Sequence, residues 1–279
     1  MTKRALGWGE WELRILTYNI QSGVGIDGVR SVERIAEMLI QLRADLVGLQ
    51  EVELGSPRSH FQNQPRVISE VSRLGYAFGH GFQRGPWRFG NVILSRFPIQ
   101  TSTRHSLPSK GEKRSMLVTR VGLTAPTSRV SPDPAAKSTA PKSPPRKPDV
   151  KPSTPPPGIH VCCTHLGLDR DERIKQVEAI CRIVDALHGP LLLVGDFNDT
   201  PNSPPIARIL EAGFVDAAGP SPTFMAPNPR EKIDYLFTRG FAAVGSPQVV
   251  PSLFSDHLPV WAEVEIAAEK KETSPEPAT

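Results

Sequence analysis

Apolar runs in this chain repeatedly break off at a side chain that carries a charge or an amide. LTYNI reaches Asn19, DLVGLQE reaches Glu51, LLLVGDFN reaches Asp196 and Asn198, and KIDYLF opens on Asp234. Short apolar runs bounded by polar residues read as buried strands. In a layered α/β fold, strand ends are where side chains from distant parts of the chain converge on a site.

The remaining pattern extends this frame. Strands are expected at Leu13–Ile20, Asp45–Gln50, Asn91–Ser95, Met116–Val121, Ile159–Leu166, Leu191–Gly195, Ile233–Phe237, Ala242–Val250 and Val260–Ile266. Helical spacing marks Val29–Leu42, with Val32, Ile35, Ala36, Leu39 and Ile40 on one face and Ser31 and Glu33 near its start. It also marks Val67–Leu74, Asp169–Leu187 and Pro205–Ala212. Several strands follow one another between single helices, which favours a two-sheet α/β sandwich over a doubly wound sheet. The 279 residues suffice for one large domain, expected over residues 12–267.

Residues 125–158 stand apart. Pro, Ser, Thr and Lys dominate, and strand-like residues flank the segment on both sides. A stretch with so few apolar side chains cannot pack a core, so it reads as a disordered insertion in a hairpin-like connection. A short proline-rich ligand for an aromatic groove is the alternative. The tail 268–279 reads as disordered too. The insertion holds six cationic and two anionic side chains, which account for the whole formal charge of +4. No basic sheath for gripping nucleic acid is therefore expected on the folded body.

The three cysteines, Cys162, Cys163 and Cys181, form no disulfide framework, and a reducing compartment fits them. The first twenty residues begin basic and lack the apolar run of about 7–15 residues that a secretory signal needs. No apolar stretch is long enough to cross a bilayer. The expectation is a cytoplasmic protein, not transmembrane, without a stable protein partner.

Two histidines join the polar strand ends, His165 in THL and His257 in SDH, the latter beside Asp256. Each residue alone has a plain structural explanation. Glu51 can be a solvated carboxylate, GDFN an Asx turn, and a single histidine a surface or core residue. The functional alternatives are a hard-oxygen Mg²⁺ ligand at Glu51, a water-orienting Asp196, and a phosphate-binding amide at Asn198. The whole set at strand ends is hard to explain as packing. Asn91 and Arg114 are further candidates. Asn91 is expected at a strand start, and the Arg114 guanidinium suits a bidentate phosphate contact, with Glu112 as its partner.

Taken in order, LTYNI, DLVGLQEV, GNVILSRFPI, THLGL, GDFNDTP, KIDYLF and SDHLPV closely resemble the endonuclease/exonuclease/phosphatase superfamily. The resemblance implies a four-layer α/β sandwich, with two mixed β-sheets packed face to face and helices outside. It implies a Mg²⁺-dependent phosphoester hydrolase, with Mn²⁺ able to substitute. Glu51 would be the main metal ligand, with Asn19 and Asp256 beside it. Asp196 would activate water, and Asn198 and His165 would contact the phosphoryl group. His257 would serve as acid/base or electrostatic partner, and Asp234 would support His165 or His257. Asn91 and Arg114 would bind substrate.

The Trp-rich stretch of abasic-site endonucleases is replaced here by PTFMAP at 222–227. The short THLGL-then-helix pattern, with Arg173 and Gln176, is closer to small phosphodiesterases. The expected substrate is a phosphoester: a small diester or lipid headgroup first, then nucleic acid, then a monoester. A catalytically dead binding module or a scaffold is the non-enzyme alternative, and the presence of Glu51, Asp196 and His257 argues against it.

Overall fold

A computed structural model describes residues 12–123 and 158–266. Its architecture follows from the alternation along β1 (Glu12–Asn19), where Leu13 and Ile15 enter one core and Leu16 and Tyr18 another. Successive strand side chains point to opposite faces, so a strand apolar on both must be covered twice.

The first sheet contains β1, β2 (Leu46–Leu54), β3 (Gly75–Arg84), β4 (Trp87–Ser95), β11 (Phe241–Val249) and β12 (Val260–Ile266), in the order β11-β12-β1-β2-β4-β3. The second contains β5 (Ile99–Ser106), β6 (Ser115–Gly122), β7 (Gly158–His165), β8 (Leu191–Asp196), β9 (Val215–Asp216) and β10 (Asp234–Arg239), in the order β5-β6-β7-β8-β10-β9. Each sheet is mixed, with a parallel pair near its centre: β1 with β2, and β7 with β8. Parallel neighbours end on the same edge. Asn19 and Glu51 are thereby brought to one edge of the first sheet, and His165 and Asp196 to one edge of the second.

The sheets face each other across a core that includes Ile15, Ile93, Leu117, Val161, Leu192 and Val264. On the outer face of the first sheet lie α1 (Val32–Gln41) and α2 (Gln64–Ser72). On the second lie α3 (Arg170–Asp185) and α4 (Pro204–Glu211). The result is the expected four-layer sandwich. Cys163 faces the inter-sheet core and Cys162 the helical side, as strand neighbours must. All three cysteines are buried and unpaired. At Gly48 the sheets approach so closely that a Cβ would stand 2.3 Å from Val194 Cγ2 and 3.1 Å from Cys163 Sγ.

Capping sets the helix starts. Ser31, Asn63 and Asp169 accept backbone N–H bonds from Arg34, Arg66 and Glu172. The first helix therefore begins at Val32, later than the expected Val29, and Ile40, expected on the buried face, is half exposed while Met38 is buried. The strands β3 and β5 lacked a sequence signal. GYAFGHGFQR is interrupted by glycines, and IQTSTRHS is an exposed edge strand with no apolar alternation.

Gly158, assigned to the insertion from sequence, is the first residue of β7 and pairs with Gly122 of the antiparallel neighbour β6. The rest of the 125–158 segment and the 268–279 tail lie outside the described residues. Among the described residues, no helix is long and apolar enough to cross a membrane.

Candidate active site

Asn19 sits at the end of β1, with Gln50 of β2 as its register neighbour. Beyond that point the β2–β4 register slips between Leu49 and Val52, and Glu51 adopts a φ of 58°. The apolar run predicts a strand that ends at Gln50, whereas β2 continues to Leu54 and carries Glu51 on a bulge. A bulge re-aims one side chain without ending the sheet. Gln50 turns into the inter-sheet core, where its Nε2 donates to Thr17 Oγ1 at 3.2 Å. Glu51 turns to the rim, where its Oε1 accepts from Asn19 Nδ2 at 3.1 Å. Burial raises the Glu51 pKa above the ordinary carboxylate value, against that hydrogen bond and the nearby His257.

The same Asn19 amide donates to Asp196 Oδ2 at 3.0 Å, joining the two sheets. Gly195 precedes Asp196 with a φ of 151°, and a Cβ there would lie 2.0 Å from Thr164 O, so the tight approach of β7 and β8 requires glycine. Asp196 Oδ1 accepts from the Asn198 backbone N–H at 2.9 Å. The Asx-turn and active-site readings of GDFN thus hold together. Asn198, at φ 50°, donates its side-chain amide to Leu166 O at 3.0 Å. Burial and the Asp234 charge push the Asp196 pKa up to about 7.

His165 is the register partner of Asp196. Its Nδ1 lies 3.1 Å from Arg114 Nη1, and its Nε2 lies 3.4 Å from Asp196 Oδ2. A guanidinium only donates, so Nδ1 accepts and the ring hydrogen sits on Nε2. Burial, Arg114 and His257 hold His165 neutral, with its pKa well below the usual value. Arg114 also pairs with Glu112 at 2.9 Å.

His257 has the opposite character. Its Nδ1 is 2.9 Å from Asp234 Oδ2, and its Nε2 is 3.6 Å from Asp196 Oδ2. Burial opposes its charge, but Asp234, Asp196 and Asp256 outweigh burial and raise the pKa to about 10. Thr223 Oγ1 donates to Asp234 Oδ2 at 2.5 Å, and the Phe224 ring packs on the imidazole at 4.7 Å. Asp256 accepts from Gln21 Nε2 at 3.1 Å and Ser255 Oγ at 3.2 Å. Ser255 Oγ also lies 2.8 Å from the carbonyl of Asn19, closing the ring of contacts.

Asn91 spends its Nδ2 on the backbone carbonyls of Ser115 (2.9 Å) and Cys163 (3.4 Å), while its buried Oδ1 has no hydrogen-bond partner. It braces the two sheets and lines a narrow throat with Glu51, Arg114 and His165. Arg173 and Gln176 brace neighbouring loops, through Asp199 at 2.7 Å and the Gly167 N–H at 2.8 Å. Gln21, Thr223 and Ser255 were not singled out by the sequence. They occupy loops and turns without local periodicity, and only the fold brings them to the site.

Among the described residues, ligand-type atoms of Asp196, Asp234 and His257 lie within 4.8 Å of one another. Two of these residues already share a hydrogen bond. Hard oxygens are also offered by Glu51, Asn19 and Asp256. Four carboxylates, Glu51, Asp196, Asp234 and Asp256, converge around the His257 imidazolium. That donor set and surplus negative charge suit a divalent cation with a preference for oxygen.

The fold also occurs in solved structures of low sequence identity. An endonuclease/exonuclease/phosphatase from Beutenbergia cavernae DSM 12333 aligns with a TM-score of 0.67 at 23% identity, over 92% of this chain and 72% of that one. A mannosyl-6-phosphatase from Bacteroides thetaiotaomicron VPI-5482 aligns at 0.66 and 18%, over 90% of this chain and 99% of the other. The human Nocturnin catalytic domain with bound sulfate aligns at 0.61 and 17%, over 91% and 94%. A sequence search of curated proteins gives no match. The profile of the Endonuclease/Exonuclease/phosphatase family matches residues 16–257, from β1 to the second of the paired histidines, and the chain belongs to that family.

Proposed function

We propose that this chain is a Mg²⁺-dependent phosphoester hydrolase that acts foremost on phosphodiesters. Members of its family are generally phosphoester hydrolases that depend on divalent metals. The observation that carries the reading is the position of Asp196 Oδ2, bonded to Asn19 at 3.0 Å and flanked by His165 Nε2 at 3.4 Å and His257 Nε2 at 3.6 Å.

Glu51, Asn19 and Asp256 would hold Mg²⁺, which when bound supplies neutralisation of phosphoryl charge; Mn²⁺ would substitute. Asp196, with a pKa near 7, takes a proton from the attacking water at neutral pH. The water oxygen bonds to phosphorus as the ester P–O bond breaks, and the departing oxygen leaves with the bonding electron pair and takes its proton from the solvent. The His257 imidazolium, held through Nδ1 by Asp234, presents Nε2–H to the developing charge. The neutral His165 Nε2–H and the Asn198 amide face phosphoryl or leaving-group oxygen. Arg114 and Asn91 support the substrate from the throat. The free cysteines fit a reducing compartment, and the chain is read as cytoplasmic.

The likeness to a mannosyl-6-phosphatase makes a phosphomonoester the second reading. The test compares bis-p-nitrophenyl phosphate, p-nitrophenyl phosphate, and duplex and abasic DNA, with Mg²⁺, Mn²⁺ or EDTA. The proposal expects the diester to be cleaved faster than the monoester, weak salt dependence, and no turnover in EDTA. A monoester preference of about tenfold or more, equivalent to about 1.4 kcal/mol, favours the second reading. DNA cleavage far faster than diester cleavage, with a steep salt slope, favours a nuclease.

A further inference from the structure

A cavity of about 810 Å³ opens off the candidate active site, sharing Glu51, Phe89, Glu112 and Lys113 with the throat that leads to Arg114 and His165. Its size falls within the range of small-molecule sites. The β3–β4 hairpin supplies an aromatic wall of Phe82, Trp87 and Phe89. Phe82 and Trp87 meet edge to face, with centroids 5.1 Å apart, which fixes the orientation of the wall.

Two arginines line the same cavity. Arg58 forms an ion pair with Glu53, whose side chain is wholly buried, and its guanidinium lies 5.2 Å over the Trp87 ring. Arg30 stands 3.9 Å from the other Glu53 oxygen and donates to Ser22 O at 2.7 Å. One buried carboxylate thus orients two guanidiniums and compensates only one of them, while the carboxylates Glu51 and Glu112 line the side of the cavity that it shares with the throat. Burying Glu53 is costly, and hydrophobic packing does not require it. The arrangement is pre-organised to receive an anion beside an aromatic surface. An acyl chain would gain nothing from the guanidiniums, and a plain sugar phosphate would leave the aromatic wall unused.

We propose that this cavity is a second binding subsite for a planar ring joined to an anionic group, the chemistry of a mononucleotide, beside the bond that is cleaved. The inference rests on the phosphoesterase reading for the neighbouring reaction, but its binding chemistry can be measured without turnover.

The experiment is calorimetric titration of the full chain in EDTA with 5′-AMP, adenosine and ribose 5-phosphate. The expected result is 5′-AMP binding at least about tenfold tighter than either fragment, since ring stacking and charge pairing each contribute on that scale. Trp87→Ala should reduce 5′-AMP affinity towards that of ribose 5-phosphate, and Trp87→Phe should restore part of it. Arg58→Ala should reduce it towards that of adenosine. Circular-dichroism melting shows whether each variant is folded; if one is not, the three-ligand comparison on the unaltered protein decides. Equal affinities there overturn the proposal. Unchanged 5′-AMP binding in folded Trp87→Ala and Arg58→Ala also overturns it. So does tight binding to sphingomyelin–phosphatidylcholine vesicles without binding of 5′-AMP, which would assign the cavity to a lipid. Metal-dependent hydrolysis without 5′-AMP binding removes this inference alone, and 5′-AMP binding without hydrolysis removes only the reaction.

Discussion

His257 Nδ1 lies 2.9 Å from Asp234 Oδ2, which leaves Nε2 turned towards Asp196. His165 instead has its Nδ1 beside Arg114. The site therefore holds one imidazole stabilised as a cation and one kept neutral, and the difference comes from their partners.

This contrast is measurable by NMR titration of the metal-free protein. The His257 ring should stay protonated past pH 8 and titrate near 10, while His165 should titrate well below an ordinary histidine. The folded His257 pKa lies above the unfolded value of about 6.5. Its contribution to stability is therefore fully present below about 6.5 and lost as pH rises through about 10. Asp234→Asn should move the His257 titration to lower pH.

Glu51 separates stability from function. Its burial makes the charged form costly in the metal-free protein. Glu51→Gln should raise the thermal midpoint in EDTA, abolish the stabilisation expected of the unaltered protein on adding Mg²⁺, and lower turnover by orders of magnitude. Full activity of the unaltered protein in excess EDTA would sink the metal assignment.

His165 Nε2–H suits a leaving oxygen that needs a donor. His165→Ala should slow alkyl esters about ten- to a hundredfold more than p-nitrophenyl esters, whose leaving group needs little help. Equal losses on both substrates, measured as kcat/KM, would argue for a purely structural role.

Gly48→Ala places a methyl group 2.3 Å from Val194 Cγ2. The inter-sheet core must shift, and the expected loss is about 1–3 kcal/mol, readable by urea denaturation. A neutral result would mean that Val194 repacks freely.

Joining Thr124 to Gly158 through a short Gly/Ser link should preserve fold and hydrolysis. The strands on either side already meet at the Gly122–Gly158 pair. Loop-closure entropy varies slowly with length, so the thermal midpoint should change little. Loss of folding on deletion would assign the segment a structural role.

The apolar runs, their order and the polar residues that interrupt them were legible in the sequence, because burial, alternation and capping are encoded over a few neighbouring residues. Ser31 and Asp169 mark their helices locally, and Leu13–Ile20 reads as a buried strand before any sheet is known. Only the tertiary structure decided that Asp234 pairs with His257 and Arg114 with His165. It also decided that Glu51 rides a bulge inside β2, and that Arg30 and Arg58 share the buried Glu53. Asn19 and Asp196 are 177 residues apart in sequence and 3.0 Å apart in space. Contacts of that kind depend on the register of two sheets and the distance between them, which no short stretch of sequence contains.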